Sequence, residues 1–121
     1  MADTADKVYH SDLVVDEIRD NPAGRDVKHL DEEYVTFKNS GTEPLLIGEW
    51  TVRNDAGDEF RFPERTELKP GERVTLYSGT GSDTDSEFYW GATRPRWRNA
   101  GDTVRVEDDA GRLRIREPYN A

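Results

Sequence analysis

The sequence contains no cysteine, which excludes disulfide bonds, thiolate metal sites and cysteine nucleophiles. Lysine is scarce: Lys7, Lys28, Lys38 and Lys69 are the only lysines, so the remaining 13 basic residues are arginines. No apolar run approaches the roughly 20 residues that a membrane-spanning helix requires. The polar N-terminus, MADTADKVYHSD, also lacks the apolar region of a signal peptide. We therefore expect a soluble, cytoplasmic protein; an exported protein whose signal peptide had been removed would begin in the same way.

The charge of the chain is strongly acidic. Its 26 acidic and 17 basic residues give a formal net charge of −9. Acid-rich, lysine-poor sequences that retain arginine are typical of proteins from extreme halophiles. At about 1 M salt the Debye length is only about 3 Å, so the self-repulsion of an acidic surface is largely screened. The alternative is an ordinary acidic protein kept soluble by its charge, but the low lysine content favours the halophilic interpretation.

Alternation of apolar and polar residues is the main structural signal. A period of two is typical of strands with one buried face and one solvated face. Turn-forming clusters rich in Gly, Asn, Asp and Pro separate the alternating stretches, which predicts an all-β, antiparallel two-sheet sandwich. No segment shows sustained helical periodicity, so no long helix is expected. The alternating residues that we predict to share one core are Val35, Phe37, Trp50, Val52, Phe60, Phe62, Val74, Leu76, Val104, Val106, Leu113 and Ile115.

Two of the predicted strands depart from strict alternation. In LVVDEIR, Val15 and Ile18 lie three residues apart, which predicts a β-bulge in a first strand from about residue 13 to 19. In LLIGEWTVRN, Ile47 and Trp50 are separated in the same way across Gly48, and a second bulge is expected there. Near the C-terminus, TVRVED and RLRIRE are predicted to pair as a closing hairpin.

The length of 121 residues corresponds to a single domain. The polar residues 1–11 are expected to form a flexible N-terminus, and residues 12–121 to form the sandwich. Within the domain, the charged residues 27–32 are expected to form either one helical turn or irregular structure.

The order and spacing of several short motifs resemble the lamin-tail domain family. These motifs are an apolar strand ending at Asn39, Gly-x-Trp-Thr from Gly48, Phe-x-Phe-Pro from Phe60, Leu68-x-Pro-Gly, Tyr-Ser-Gly from Tyr77, and Trp97-x-Asn-x-Gly-Asp-Thr-Val. The resemblance covers roughly residues 13–119 and, with the composition, indicates a prokaryotic, halophile-like member. It implies an immunoglobulin-like β-sandwich that acts as an interaction module. In animals the family forms the globular tail of nuclear lamins, which docks to proteins and chromatin; in prokaryotes it often accompanies nuclease-like or other hydrolase domains.

No constellation in the sequence points to catalysis. His10 and His29 lie outside any recognisable motif, and the acid pairs Glu32/Glu33 and Asp108/Asp109 lie in turns, where solvation explains them. We therefore expect a non-enzymatic protein without a cofactor. A candidate Ca²⁺ site is formed by Asp83 and Asp85 in a polar loop, but a third acid at the next alternate position is missing. A hydrated loop is the favoured interpretation.

Basic residues are concentrated near the C-terminus. Residues 88–121 carry 7 basic and 5 acidic side chains, a net charge of +2, whereas residues 1–87 carry 10 basic and 21 acidic side chains, a net charge of −11. If Leu113 and Ile115 point inward, alternation places the neighbouring arginines on one exposed face. This face is predicted either to bind an anion or acidic partner, or to pair across strands with Glu107 and nearby acids. Its members are Arg105, Arg112, Arg114 and Arg116.

A second candidate binding segment surrounds an aromatic ring with cations. It consists of Arg94, Arg96, Trp97 and Arg98. Arg and Trp are the residue types that anchor interfaces, and together they can stack on bases. The favoured interpretation is that Trp97 packs inward and its arginines are solvated, because Trp97 belongs to the family motif.

The functional hypothesis is a non-enzymatic protein-interaction module of lamin-tail type. One alternative is a nucleic-acid-associated accessory domain that uses the arginine-rich face, although the net charge of −9 argues against phosphate binding. Another alternative is an accessory domain to a separately encoded hydrolase or nuclease. A protein partner is therefore expected rather than nucleic acid, and the oligomeric state stays open.

Overall fold

The computed structural model describes residues 7–19, 33–98 and 101–119. Within these ranges the chain forms ten β-strands and no helix. His29 and residues 27–32 lie outside the described residues. The strands are β1 Leu13–Arg19, β2 Tyr34–Asn39, β3 Leu45–Leu46, β4 Thr51–Arg53, β5 Glu59–Arg61, β6 Glu67–Leu68, β7 Arg73–Tyr77, β8 Glu87–Tyr89, β9 Asp102–Glu107 and β10 Leu113–Tyr119.

The strands form two four-stranded sheets that face each other. One sheet has the order β1-β2-β7-β8 and the other β10-β9-β4-β5, while β3 and β6 form a small separate sheet. The core lies between the two large sheets. Phe37 of β2 meets Phe62, which follows β5, edge to face with the ring centroids 6.1 Å apart. The predicted all-β sandwich is confirmed.

The core contains the alternating residues that the sequence predicted. All of them are buried except Phe60, which is partly buried and packs against the others. Leu113 is buried but lies outside the main cluster. Alternation therefore identified most of the core, and the remaining buried apolar residues come largely from loops and strand ends. Among these are Leu13, Ile47, Leu68 and Trp97.

The segment LLIGEWTVRN is not one bulged strand, and that prediction is wrong. It divides into β3, which pairs with β6, and β4, which belongs to a large sheet. The chain turns at Gly48 and Glu49, where Trp50 N donates to Ile47 O over 3.0 Å and Glu49 adopts a φ of 66°. The three-residue spacing of Ile47 and Trp50 therefore reflects a corner, from which both side chains enter the core.

The register of the outer strands contains two irregularities. The bulge predicted in β1 is confirmed, because the pairing with β2 shifts between Val15 and Glu17. The predicted closing hairpin of β9 and β10 is also confirmed, but its register shifts between Leu113 and Ile115. This second bulge leaves no trace in the alternation, since Leu113 and Ile115 keep a spacing of two.

One strand pair departs from the predicted antiparallel arrangement. β7 and β8 run parallel, whereas every other pair among the described strands is antiparallel. The polar loop after Ser78 returns the chain to the middle of β7, where Thr75 N donates to Ser86 O over 2.9 Å. Side chains alternate between the two faces of a strand in either direction, so the residue pattern of β8 could not reveal this direction.

Candidate functional site

An arginine row crosses the outer face of the second large sheet. Arg116 of β10 lies directly opposite Arg105 of β9, which in turn lies opposite Arg53 of β4. Like charges at directly opposite positions destabilise a sheet. Such a row therefore persists where acidic side chains neutralise it or where a partner supplies the missing charge.

Acidic side chains neutralise two members of the row. Arg53 lies 2.9 Å from Glu59 and 3.0 Å from Glu107. Burial alone would lower the pKa of Arg53, but the hydrogen bonds and charges of these two carboxylates raise it above its ordinary value. Arg105 lies 2.6 Å from Asp55. The Arg105 hydrogen bond outweighs the burial of Asp55 and lowers the pKa of that carboxyl.

Arg116 is the unneutralised member of the row. It is exposed, and it forms no hydrogen bond, ion pair or ring contact with another described residue. Its register partner is Arg105, whose charge is already balanced by Asp55. The β10 end of the row therefore presents a positive charge to solvent.

Arg112 and Arg114 form ion pairs with Asp108, so they do not add unpaired charge beside Arg116. Arg114 Nε lies 2.9 Å and Arg112 Nε 3.5 Å from Asp108 Oδ2. The Arg114 guanidinium also lies 5.5 Å from the centroid of the Trp50 ring, a cation–π arrangement. The four-arginine face predicted from alternation is thus divided at the bulge in β10 into a paired part and an exposed part.

Asp108 was expected to be a solvated turn residue, and that expectation is wrong. Its side chain is 3% exposed. Its Oδ1 accepts hydrogen bonds from the backbone N–H groups of Ala110 and Arg112, and its Oδ2 accepts one from Arg114 Nε. Burial alone would raise the pKa of Asp108, but these donors together lower it below its ordinary value.

The segment around Trp97 has a structural role in the sandwich. Trp97 is 1% exposed and packs edge to face with Trp90, with the ring centroids 5.9 Å apart. Its ring is therefore closed to a binding partner, in agreement with the interpretation that the sequence favoured. Arg96 lies across the Trp90 ring at 5.8 Å and is 3.5 Å from Asp58. Arg98 contacts Asp55 and Asp102, and Arg94 is exposed.

Glu33, like Asp108, was expected to be a solvated turn residue, and that expectation is wrong, because its buried carboxylate holds this segment in place. Glu33 is fully buried, and its Oε1 accepts hydrogen bonds from Ser78 Oγ, Arg96 N and Trp97 N. These bonds fasten residues 96–97 to the start of β2 and the end of β7. The sequence signal was slight: one acid immediately before an apolar strand.

The loop that contains the candidate Ca²⁺ residues forms a hydrogen bond to the edge strand β8. Asp83 Oδ1 accepts a hydrogen bond from Tyr89 N over 3.0 Å, and Asp85 lines an open cavity of about 420 Å³ beside Thr84 and Ser86. The described part of the chain contains no group of three or more His, Cys, Asp or Glu residues that could hold a metal ion. It also contains no helix with the length and hydropathy needed to cross a membrane.

The fold and the comparison with known families together define the class of this protein. Two facing, mostly antiparallel sheets around a single core are the architecture of an immunoglobulin-like β-sandwich. The family described as Lamin Tail Domain matches residues 9–120. The chain therefore belongs to the lamin tail domain family, whose members are immunoglobulin-like domains not known as enzymes.

Proposed function

We propose that this chain is a non-enzymatic protein-binding module that recognises an acidic partner at the β10 end of its arginine row. The observation that carries the proposal is the pairing pattern: Arg53 and Arg105 are neutralised within the fold, whereas Arg116 beside them is exposed and unpaired among the described residues. A carboxylate on a partner would complete this row. Family membership supports a binding module in general terms.

A protein partner fits this surface better than nucleic acid. The chain carries a net charge of −9, and binding to phosphate backbones depends on neutralising many phosphates and weakens steeply with salt. An isolated arginine offers a planar fork that makes two hydrogen bonds to one carboxylate, and its weak hydration lowers the cost of desolvation. One exposed arginine beside neutralised neighbours suits a single carboxylate contact.

We further propose that the module works at high ionic strength. The excess of acids over bases and the scarcity of lysine support this setting. Long-range attraction between charges is screened in concentrated salt, so the close bidentate contact of an arginine is the kind of recognition that survives there.

The test compares two exposed arginines on the same sheet. Arg116→Glu reverses the charge at the proposed site, and Arg61→Glu makes the same change on β5, at the opposite edge of the sheet. Proteins are captured from native cell extract at native salt, after nuclease treatment. We expect Arg116→Glu to lose partners that the wild type and Arg61→Glu retain.

Two results would contradict the proposal. If Arg116→Glu and Arg61→Glu capture the same proteins as the wild type, the β10 end of the row is a solvated surface. If capture by the wild type disappears after nuclease treatment, the alternative of a nucleic-acid-associated domain is favoured.

A further inference from the structure

Among the described residues, the backbone of β10 has no hydrogen-bonded partner on its outward side from Arg116 to Pro118. β10 is an edge strand that pairs only with β9 in its sheet. Antiparallel partners alternate between pairs that exchange backbone hydrogen bonds and pairs that do not. Asp108 N donates to Arg112 O, so residues of β9 at even positions direct their backbone groups toward β10. Arg105 therefore bonds toward β4, and the N–H and C=O groups of Arg116 point away from the sheet.

The position of Pro118 is consistent with an outward-facing backbone at Arg116. It lies opposite Thr103, and a proline, which has no N–H, is tolerated in an edge strand where that position faces away from the partner. Pro118 and Arg116 are two residues apart, so their backbone groups face the same side. The outward side of β10 thus offers the Arg116 N–H with the carbonyls of Arg116 and Pro118.

A groove runs along this open side. It has a volume of about 210 Å³ and lies between β10 on one side and, on the other, β1 with the N-terminal segment that precedes it. β1 is an edge strand of the other large sheet. Leu13, Val15 and Ile115 contribute apolar surface to the groove, and the charged residues Arg116 and Glu117 also line it. Val14 also lines the groove and is 37% exposed, which makes it one of two large apolar side chains exposed in the described residues. The groove therefore combines an apolar floor, a cation and open backbone groups.

The chain itself makes one backbone hydrogen bond at this edge. Tyr9 N donates to Leu113 O over 2.7 Å, which is a backbone contact on the outward side of β10. Farther along, at Arg116, no described residue makes an equivalent contact. By contrast, the edge strand β8 is closed by its own loop, since Thr84 Oγ1 and Asp83 Oδ1 accept the N–H groups of Glu87 and Tyr89.

We propose that an extended acidic peptide segment of the partner adds to the sandwich as a strand beside β10, with its backbone bonded to Arg116 and a carboxylate placed on the Arg116 guanidinium. This inference rests on the proposed function and specifies how the partner is held. In strand addition the main chain supplies affinity and alternate side chains supply specificity. Here one face of the added strand meets Arg116, and the other meets the apolar residues of the groove.

A second copy of the chain is a poorer occupant. Symmetric antiparallel pairing of two β10 strands about Arg116 would place the two Arg116 side chains directly opposite each other. Like charges at opposite positions disfavour the pair, whereas a glutamate or aspartate at that position favours it. Charged residues on edge strands commonly prevent self-association in this way.

The test uses two synthetic peptides with the same side chains. Both are short, acetylated and amidated, and alternate Val and Glu; in the second, the alternate amides that would face β10 are N-methylated. Binding to the ¹⁵N-labelled protein is followed by the NMR signals of β10 and by amide hydrogen exchange. We expect the plain peptide to slow exchange of the Arg116 amide and to bind about tenfold more tightly than the methylated one, because the methylated peptide loses backbone hydrogen bonds.

A matched variant separates charge from backbone pairing. Arg116→Gln keeps the outward N–H and C=O but removes the cation. It should weaken both peptides while preserving the preference for the plain one. Arg61→Gln, on the distant edge strand β5, should change neither affinity.

The outcomes distinguish this inference from the proposed function. Equal binding of the two peptides, or no binding of either, overturns strand addition, while the capture experiment with Arg116→Glu still decides whether the arginine row binds a partner. A clear preference for the plain peptide together with unchanged capture by Arg116→Glu supports the strand-addition site but contradicts its use in capturing an acidic partner.

Discussion

Asp108 shows how one side chain can organise a hairpin. Its carboxylate lies in the turn between β9 and β10 and binds backbone donors of the turn as well as Arg114 of the strand that follows. Because it is buried, removal of its charge would leave these donors without an ionic acceptor. The hairpin that carries Arg116 therefore depends on an ionised Asp108.

We expect Asp108→Asn to lower the free energy of unfolding at neutral pH by about 1–3 kcal/mol, the usual cost of losing hydrogen bonds to a buried charged group. The pKa of Asp108 is lower in the folded protein than its ordinary value of 3.8, so the unfolded state binds more protons as the pH falls toward it. The stabilisation is present above about pH 4 and is lost below it. Denaturant unfolding as a function of pH measures both effects.

Asp109→Asn is the matched control for this prediction. Asp109 is the adjacent residue and is exposed. The Asp109→Asn substitution should leave the free energy of unfolding and its dependence on acid pH close to those of the wild type. If Asp108→Asn also shows the wild-type decline at low pH, the carboxylate does not contribute in the way described.

At the scale of elements, the corner between β3 and β4 connects the small sheet to a large one. Gly48 lies against the turn that follows β5, and a Cβ at Gly48 would be 2.7 Å from Arg65 N. Arg65 itself has a φ of 76°, a conformation that L-residues adopt at a cost. An added methyl group would therefore require the backbone to shift at Gly48 or at Arg65.

We expect Gly48→Ala to destabilise the protein by about 1–3 kcal/mol, as overpacking against a backbone does. Chemical denaturation measures the change, with Thr42→Ala as a control at an exposed loop position. If Gly48→Ala is as stable as the wild type, the corner can relax and the close approach to Arg65 is not required.

At the scale of the whole molecule, charge is the dominant feature. The excess of 26 acids over 17 bases produces self-repulsion in the folded chain, and added ions screen it. Many of the described arginines are already committed to acidic neighbours, including Arg53, Arg73, Arg98 and Arg105. The acids without such neighbours carry the repulsion that salt relieves.

We therefore predict that the thermal midpoint rises from dilute buffer to about 2 M KCl, where the Debye length is below about 3 Å. A thermal melt monitored by circular dichroism measures it. A midpoint that is unchanged or lower in KCl would contradict adaptation to high salt and favour an ordinary acidic protein.

Much of the fold could be predicted from the sequence because its signal is local. Successive side chains of a strand point to opposite faces whatever the surrounding topology, so alternation identified the core residues from Val35 to Ile115 and the sandwich they build. The bulge in β1 was found in the same way, from the spacing of Val15 and Ile18. The family motifs, which depend on residue order alone, agreed with the match over residues 9–120.

The tertiary structure determined which charged side chains pair within the fold and which stay exposed to a binding partner. Arg105 and Asp55 lie 50 positions apart in the chain, and their contact depends on strand register and loop paths that alternation does not encode. The tertiary structure also determined three features that alternation did not predict: the bulge in β10, the corner at Gly48 and the burial of Glu33. Alternation placed several arginines on one face, but the hairpin turn pairs Arg112 and Arg114 with Asp108. The order of strands in the sheet then leaves Arg116 exposed on an edge strand.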